Sequence, residues 1–187
     1  MARLIMLVLF MLLVTSVTMA LKTCSAQQPS DGHATGGDAS GLVSLQDGST
    51  MIAQPGTVGR DLVDWLAERK PGEKTFELGG QEFVGRTAQP TSESLGRVTR
   101  LIAMLRANPD VRMTIVGHSD PSGDERADIA LSLARAQALY RLVRDGGIAP
   151  ARLEVQARGS SDPLAPNDSP VNRARNQRVS LVLSRKE

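Results

Sequence analysis

Residues 117–139 read GHSDPSGDERADIALSLARAQAL. Just before them, Val111, Met113 and Ile115 alternate with Arg112 and Thr114, the period of a half-buried strand. That strand runs into Gly117-His118-Ser119-Asp120, and a Pro-Ser-Gly loop follows. From about Ala127 to Arg144 the period changes to that of a helix, with Leu131, Ala134, Ala138, Leu139, Leu142 and Val143 inward. Gly146-Gly147 closes it. Asp128 and Arg135 stand seven residues apart, two helical turns, so they share a face. Asp120 leads into the start of the same helix.

Upstream, Leu95, Val98, Ile102 and Leu105 mark another amphipathic helix. Thr91 or Ser92 caps it and Asn108-Pro109 stops it. Before it, Thr75 to Arg86 reads as a strand interrupted by Gly79-Gly80 and resumed at Phe83. Downstream, Leu153, Val155 and Ala157, and then Val179, Leu181 and Leu183, each alternate with polar residues. The order βαβαββ predicts an α+β two-layer sandwich over residues 73–187. Its mixed four-stranded sheet carries two main helices on one face. Strands joined through helices are expected as parallel neighbours, and the last two as an antiparallel pair.

The N-terminal part differs in kind. Leu4 to Leu21 is an unbroken apolar run between Arg3 and Lys22. Residues 1–26 therefore read as a signal peptide or an N-terminal membrane anchor, with lipid on Cys24 as a third fate. All three carry the rest of the chain out of the cytoplasm. Residues 27–72 are rich in Gly, Ser, Asp and Gln and read as a flexible tether. A short strand at 42–45 and one short helix, with Val58, Leu62, Trp65 and Leu66 on its face, are expected within it. Trp65 is expected as a core plug.

Composition excludes several functions. Hydrophobic residues are 41% and charged residues 22% of the 187, the globular range. Lys and Arg number 22 against 20 Asp and Glu, and two of the basic residues, Arg3 and Lys22, lie in the leader. The remainder carries no bulk charge for nucleic acid. One cysteine and two histidines leave no disulfide and little for a zinc site. One Trp, one Tyr and three Phe give no stacking platform. No cofactor is implied.

What remains is a charged constellation. Asp120 and Arg135 border one end of the sheet, and the run Asn172-Arg173-Ala174-Arg175-Asn176-Gln177-Arg178 precedes the last strand and can close a pocket between them. Fixed opposite charges suit a zwitterion, the acid taking an ammonium and Arg135 a carboxylate. Free amino-acid ends and the side chain of diaminopimelate both present that pairing. The alternative is that Asp120 caps the helix and Arg135 pairs with Asp128 or Asp120.

The stretch 117–139 resembles the OmpA-like peptidoglycan-binding domain. Gly117-His118-Ser119-Asp120, Leu131-Ser132 and Arg135-Ala136 stand at that family's spacing. Gly159-Ser160-Ser161-Asp162-Pro163 resembles its G-x-x-x-P, and Asn167, Arg173, Asn176, Arg178 and Val179 match its closing motif. The resemblance implies non-covalent binding of the diaminopimelate in the wall peptide, with Asp120 and Arg135 carrying the ligand's charges. Asp128, Arg173, Asn176 and Gln177 complete the implied site. It also implies the periplasmic side of a bacterial envelope, at the outer membrane more than the inner.

Two residues depart from the pattern: Asp128 replaces Asn, and Gln177 replaces Arg. Both remove positive potential near the ligand's carboxylate, and Asp128 is expected to compete for Arg135. An envelope sensor or partner-binding module with weak or no wall binding is the alternative function. An enzyme is not expected: Asp124, Glu125 and Asp128 read as the acidic start of a helix, with no activated nucleophile nearby. A stator-like motor subunit would need an acid within Leu4 to Leu21, and there is none.

Overall fold

A computed structural model describes residues 41–79 and 81–186; the leader, Cys24 and the first part of the expected tether lie outside them. The elements run β1 (Leu42–Ser44), β2 (Thr50–Ile52), α1 (Val58–Glu68), β3 (Gly72–Glu77), α2 (Ser92–Ala107), β4 (Val111–His118), α3 (Glu125–Asp145), β5 (Leu153–Gly159), α4 (Pro170–Asn176) and β6 (Val179–Arg185). Among these residues no helix is long and apolar enough to cross a membrane.

The mixed four-stranded sheet is present, in the order β3-β6-β4-β5. Its connectivity corrects the expected pairing. β4 and β5 are parallel neighbours, but β6 inserts antiparallel between β3 and β4. The last two strands therefore never touch. The cause is apolarity. Val179, Leu181 and Leu183 of β6 have no exposed surface, whereas β5 is only half-buried along most of its length. The more apolar strand gains more by taking the centre, and the exposed one takes the edge.

The strand expected over 75–86 also shortens. β3 ends at Glu77, and the described residues from 78 to 91 form a loop with one isolated bridge, between Phe83 and Pro90. Gly79, Gln81 and Gly85 adopt positive φ there, which breaks a strand.

Helix α3 lies on β4 and β5 at unusually close range. A Cβ on Gly117 would stand 2.0 Å from the carbonyl oxygen of Ser132, so only glycine lets the strand pass beneath the helix. Gly159 does the same at β5, with φ +54° and Ile129 directly above. Its N–H donates to the Ser132 hydroxyl at 3.0 Å, which in turn donates to the Ile129 carbonyl at 2.8 Å. The buried face of α3 is accordingly more polar than its apolar period suggests. Ser132, Arg135 and Ala136 are fully buried, while Leu131 and Ala134 are only half so. Asp124 caps the helix, accepting from the backbone N–H groups of Arg126 and Ala127.

The flexible reading does not hold over residues 41–72. β1 and β2 form an antiparallel hairpin, and Thr57 caps α1. Leu45, Ala53, Leu62, Val63 and Leu66 are buried in the same apolar core as Phe76, Leu105 and Leu181. Trp65 is half-buried and meets Phe76 edge-to-face at 6.2 Å, with the Arg185 guanidinium 5.4 Å over its ring. The expected strand and helix are present, and it is their docking that polar composition hid, because a hairpin and an eleven-residue helix need only a few apolar contacts to dock.

Candidate functional site

β4 delivers Asp120 to the sheet's end, and the first turn of α3 delivers Asp128 beside it. Both are buried, at 6% and 1% exposure. Asp128 accepts from the Ser122 backbone N–H with both oxygens at 3.1 Å and from the Ser160 hydroxyl at 3.0 Å. Burial alone would raise its carboxyl. The hydrogen bonds from Ser122, Ser160 and Arg86 outweigh that and hold it below the usual carboxylate range.

The two acids share one cation, Arg86 of the 78–91 loop. Its Nη1 pairs with the Asp120 carboxylate, and its Nη2 donates to Asp128 at 3.1 Å. The Arg86 side chain is 39% exposed, and its guanidinium bridges the two buried carboxylates. Sequence reasoning missed it. Arg86 stands 34 and 42 residues from its partners, and nothing local marks it. Ser160 was legible in principle, within the Gly159-to-Pro163 motif.

Arg135 is fully buried behind them, and four of its five N–H donors go to protein acceptors. Nε donates to the Thr87 carbonyl at 3.0 Å, Nη1 to that of His118 at 3.3 Å, and Nη2 to that of Gly85 and to Gln177 Oε1, both at 2.9 Å. The Phe83 ring lies 5.2 Å from the guanidinium. Burial lowers its pKa to about 10, opposed by Asp120, so it remains a cation at neutral pH.

This arrangement corrects two expectations. Asp128 does not compete for Arg135; it pairs with Arg86, which cancels the charge added by replacing Asn. Gln177 does not merely lack a cation; it supplies the acceptor that Arg135 needs. An arginine there has no acceptor to offer.

The other expected site residues fall elsewhere. Asn176 is buried, exchanges hydrogen bonds with both the carbonyl and N–H of Ala165, and donates to Asn167 at 2.7 Å. Arg173 is half-buried and donates to the Asn167 carbonyl at 3.2 Å. Both fasten the loop before α4, and no hydrogen bond joins either to Asp120 or Arg135. Of the closing motif, only Gln177 reaches the charged pocket.

His118 and Glu82 are the buried titratable groups nearby. His118 Nε2 is 2.9 Å from the Ser180 hydroxyl, which donates to Glu77, as Arg178 also does. Burial and Arg178 depress His118 to about 4. Glu82 accepts from the Val179 N–H at 2.8 Å, and burial raises its carboxyl to about 8. Among the described residues no cluster of three or more His, Cys, Asp or Glu is gathered to hold a metal ion.

The OmpA family model matches residues 83–177, about half of the chain. The chain belongs to the OmpA family. The match begins in the loop that carries Arg86 and ends at Gln177, so it encloses every residue of the charged pocket. The peptidoglycan-binding protein ArfA of Mycobacterium tuberculosis is 36% identical over 87 residues, 46% of this chain and 27% of ArfA. The outer-membrane lipoprotein YfiB of Pseudomonas aeruginosa is 31% identical over 91 residues, 49% of this chain and 54% of YfiB. The alignments thus span about a quarter and about half of those relatives. Among solved structures, the cell wall anchor of the type VI secretion system from Pseudomonas aeruginosa superposes with a TM-score of 0.54 at 25% identity. That match covers 69% of this chain and 97% of the anchor. The periplasmic domain of Helicobacter pylori MotB superposes at 0.56 with 21% identity, covering 62% and 78%, a likeness of fold.

Proposed function

We propose that this OmpA-family domain binds peptidoglycan non-covalently and tethers the envelope layer that carries it. One observation carries the reading: the pocket formed by Asp120 and Asp128 holds a cation, the Arg86 guanidinium, in contact with both acids. A pocket that accepts a guanidinium has the charge to accept an ammonium. In the wall peptide that ammonium belongs to diaminopimelate, and Asp120 is the acid that takes it. Arg135 supplies positive potential for the neighbouring carboxylate, and through Gly85, Thr87 and His118 it holds the pocket's frame. The names of ArfA and of the secretion-system anchor agree with such a role, and so does the pocket's place inside the matched region.

The same observation favours a second reading. Arg86 and the ligand's ammonium compete for the same acids, and Arg135 spends most of its donors internally. The domain then grips the wall weakly and serves as an envelope sensor or partner module.

Sedimentation of the full chain with purified sacculi containing diaminopimelate separates the two. Wall anchoring predicts co-sedimentation at low salt and release by free diaminopimelate. No co-sedimentation for either the wild type or Arg86→Ser contradicts it. Membrane attachment belongs to the same proposal, through Leu4 to Leu21 or through lipid on Cys24. The mass of the membrane-extracted protein distinguishes a retained leader, a cut one and an acylated cysteine.

A further inference from the structure

Away from the charged pocket, the β1–β2 hairpin, α1 and α2 enclose an open groove of about 670 Å³. That volume lies within the range of small-molecule sites. Its walls are apolar: Met51, Val58, Leu62, Leu78, Leu101 and Met104 are among them. Its charged residues are all cations, Arg97 and Arg100, with no acid among the described lining residues. We propose that this groove binds a single-chain fatty carboxylate, with the alkyl chain along α1 and α2 and the carboxylate at Arg97 and Arg100.

Helix geometry sets the polarity. Arg97 and Arg100 are three residues apart on α2 and share a face. Leu101 and Met104 follow one turn later on that face and are almost fully buried. The cationic end of the groove therefore gives way to an apolar end over about 6 Å of helix. That is the layout an amphiphile with an anionic head requires.

Both guanidiniums have capacity left. Arg97 donates Nη1 to Glu93 at 2.7 Å, an exposed one-turn pair that solvent screens, and its Nε and Nη2 are buried against the groove's protein wall with no hydrogen-bond acceptor, so a ligand carboxylate reaches them only by a turn of the guanidinium. Arg100 is exposed and makes no side-chain hydrogen bond or ion pair among the described residues. Met51 and Met104 add the adaptability that suits a flexible chain.

Two positions allow the groove to be altered without opening the core. Gly59 lines it in the first turn of α1, and a Cβ there would meet only the Thr57 hydroxyl, at 3.8 Å. Gly59→Leu thus occupies open space and replaces a poor helix former by a good one. Arg100→Glu reverses the charge at an exposed site.

Titration calorimetry of the full chain with dodecanoate below its micellar concentration is the test. One saturable site is expected. Decanoate should bind roughly fifteenfold more weakly, since it lacks two methylenes and each is worth about fourfold. Dodecyltrimethylammonium, the same chain with a cationic head, should bind at least tenfold more weakly. Gly59→Leu should abolish dodecanoate binding, and Arg100→Glu should weaken it about tenfold while narrowing the preference for the anion. Sacculus binding should be unchanged in both variants, because neither residue touches the charged pocket. Absence of saturable binding overturns the proposal. So do equal affinities for the anionic and cationic amphiphiles, or binding to anionic phospholipid vesicles without binding of monomeric dodecanoate. If Gly59→Leu fails to fold, Arg100→Glu and the head-group comparison decide alone.

Discussion

The charged pocket has two walls of different make. One is built from the end of β4 and the start of α3, and rests chiefly on side chains and a glycine, Asp120, Asp128 and Gly117, with the His118 carbonyl and the Ser122 N–H as backbone groups beside them. The other is the 78–91 loop, which contributes the carbonyls of Gly85 and Thr87 and two side chains, Arg86 and the Phe83 ring. The first wall depends on residue identity. The second depends mainly on where the backbone passes, since any residue offers a carbonyl. Arg135 joins them, reaching from α3 to the loop's carbonyls. Each wall also holds one buried titratable group, His118 on the first and Glu82 on the second, displaced in opposite directions.

The largest effect is expected where the walls are joined. Arg135→Leu removes a fully buried cation that satisfies the carbonyls of Gly85, Thr87 and His118 and the Gln177 amide oxygen, and should cost about 3–5 kcal/mol, as the loss of one partner from a buried charged network does. Urea unfolding measures it. A cost below about 1 kcal/mol would mean that the loop holds its place unaided.

The opposed titrations give the next effect. Glu82 is raised from the usual 4.5 to about 8, so the folded state holds a proton that the unfolded state releases, and stability falls as pH rises from 4.5 to 8. His118 is lowered from 6.5 to about 4, so stability falls as pH drops from 6.5 to 4. Between 4.5 and 6.5 the two slopes oppose each other. Unfolding free energy should therefore be flat across that interval and decline on either side. Glu82→Gln should flatten the alkaline decline, which amounts to roughly 2 kcal/mol between pH 6.5 and 8. An unaltered alkaline slope in Glu82→Gln would place the titration elsewhere.

Gly117→Ala tests the side-chain wall. A methyl 2.0 Å from the Ser132 carbonyl cannot be absorbed without lifting α3, and a loss of about 3 kcal/mol is expected. The matching change in the carbonyl wall, Thr87→Ala, keeps the Thr87 carbonyl. It loses only the hydroxyl contacts to Val84 and Gln89, so it should cost less than about 1 kcal/mol. Equal costs for these two, in thermal or urea unfolding, would erase the distinction between the walls.

The same distinction decides what the sequence makes legible. Asp120, Asp128 and Arg135 lie within one strand-loop-helix stretch, where spacing alone brings them to one end of the sheet. Gly117 and Gly159 mark the close approach of helix to sheet because no other residue fits. Arg86 is invisible by comparison, since its partners are brought to it by the whole fold. Gln177 was misjudged for a related reason. Whether an amide acts as donor or acceptor depends on what it meets, and here it meets a buried guanidinium. The place of β6 between β3 and β4 follows from competition among strands for the buried centre, which no single strand's pattern discloses. The short strand at 42–45 and the helix α1 were legible from their apolar residues, but β2 and the docking of the segment onto the core were not, because the buried contacts of Leu45 and Ala53 are scattered through polar sequence.

The central claim is that Asp120 and Asp128 form a cation pocket in which Arg86 stands in for a ligand's ammonium. Calorimetric titration of a diaminopimelate-containing wall peptide into the wild type, Arg86→Ser and Asp120→Asn tests it most directly. Removing the internal competitor should tighten binding about tenfold. Neutralising Asp120 should weaken it by about 1.5–3 kcal/mol, the range for a hydrogen bond to a charged group. Binding that is unchanged in Asp120→Asn, or weakened in Arg86→Ser, would contradict the account.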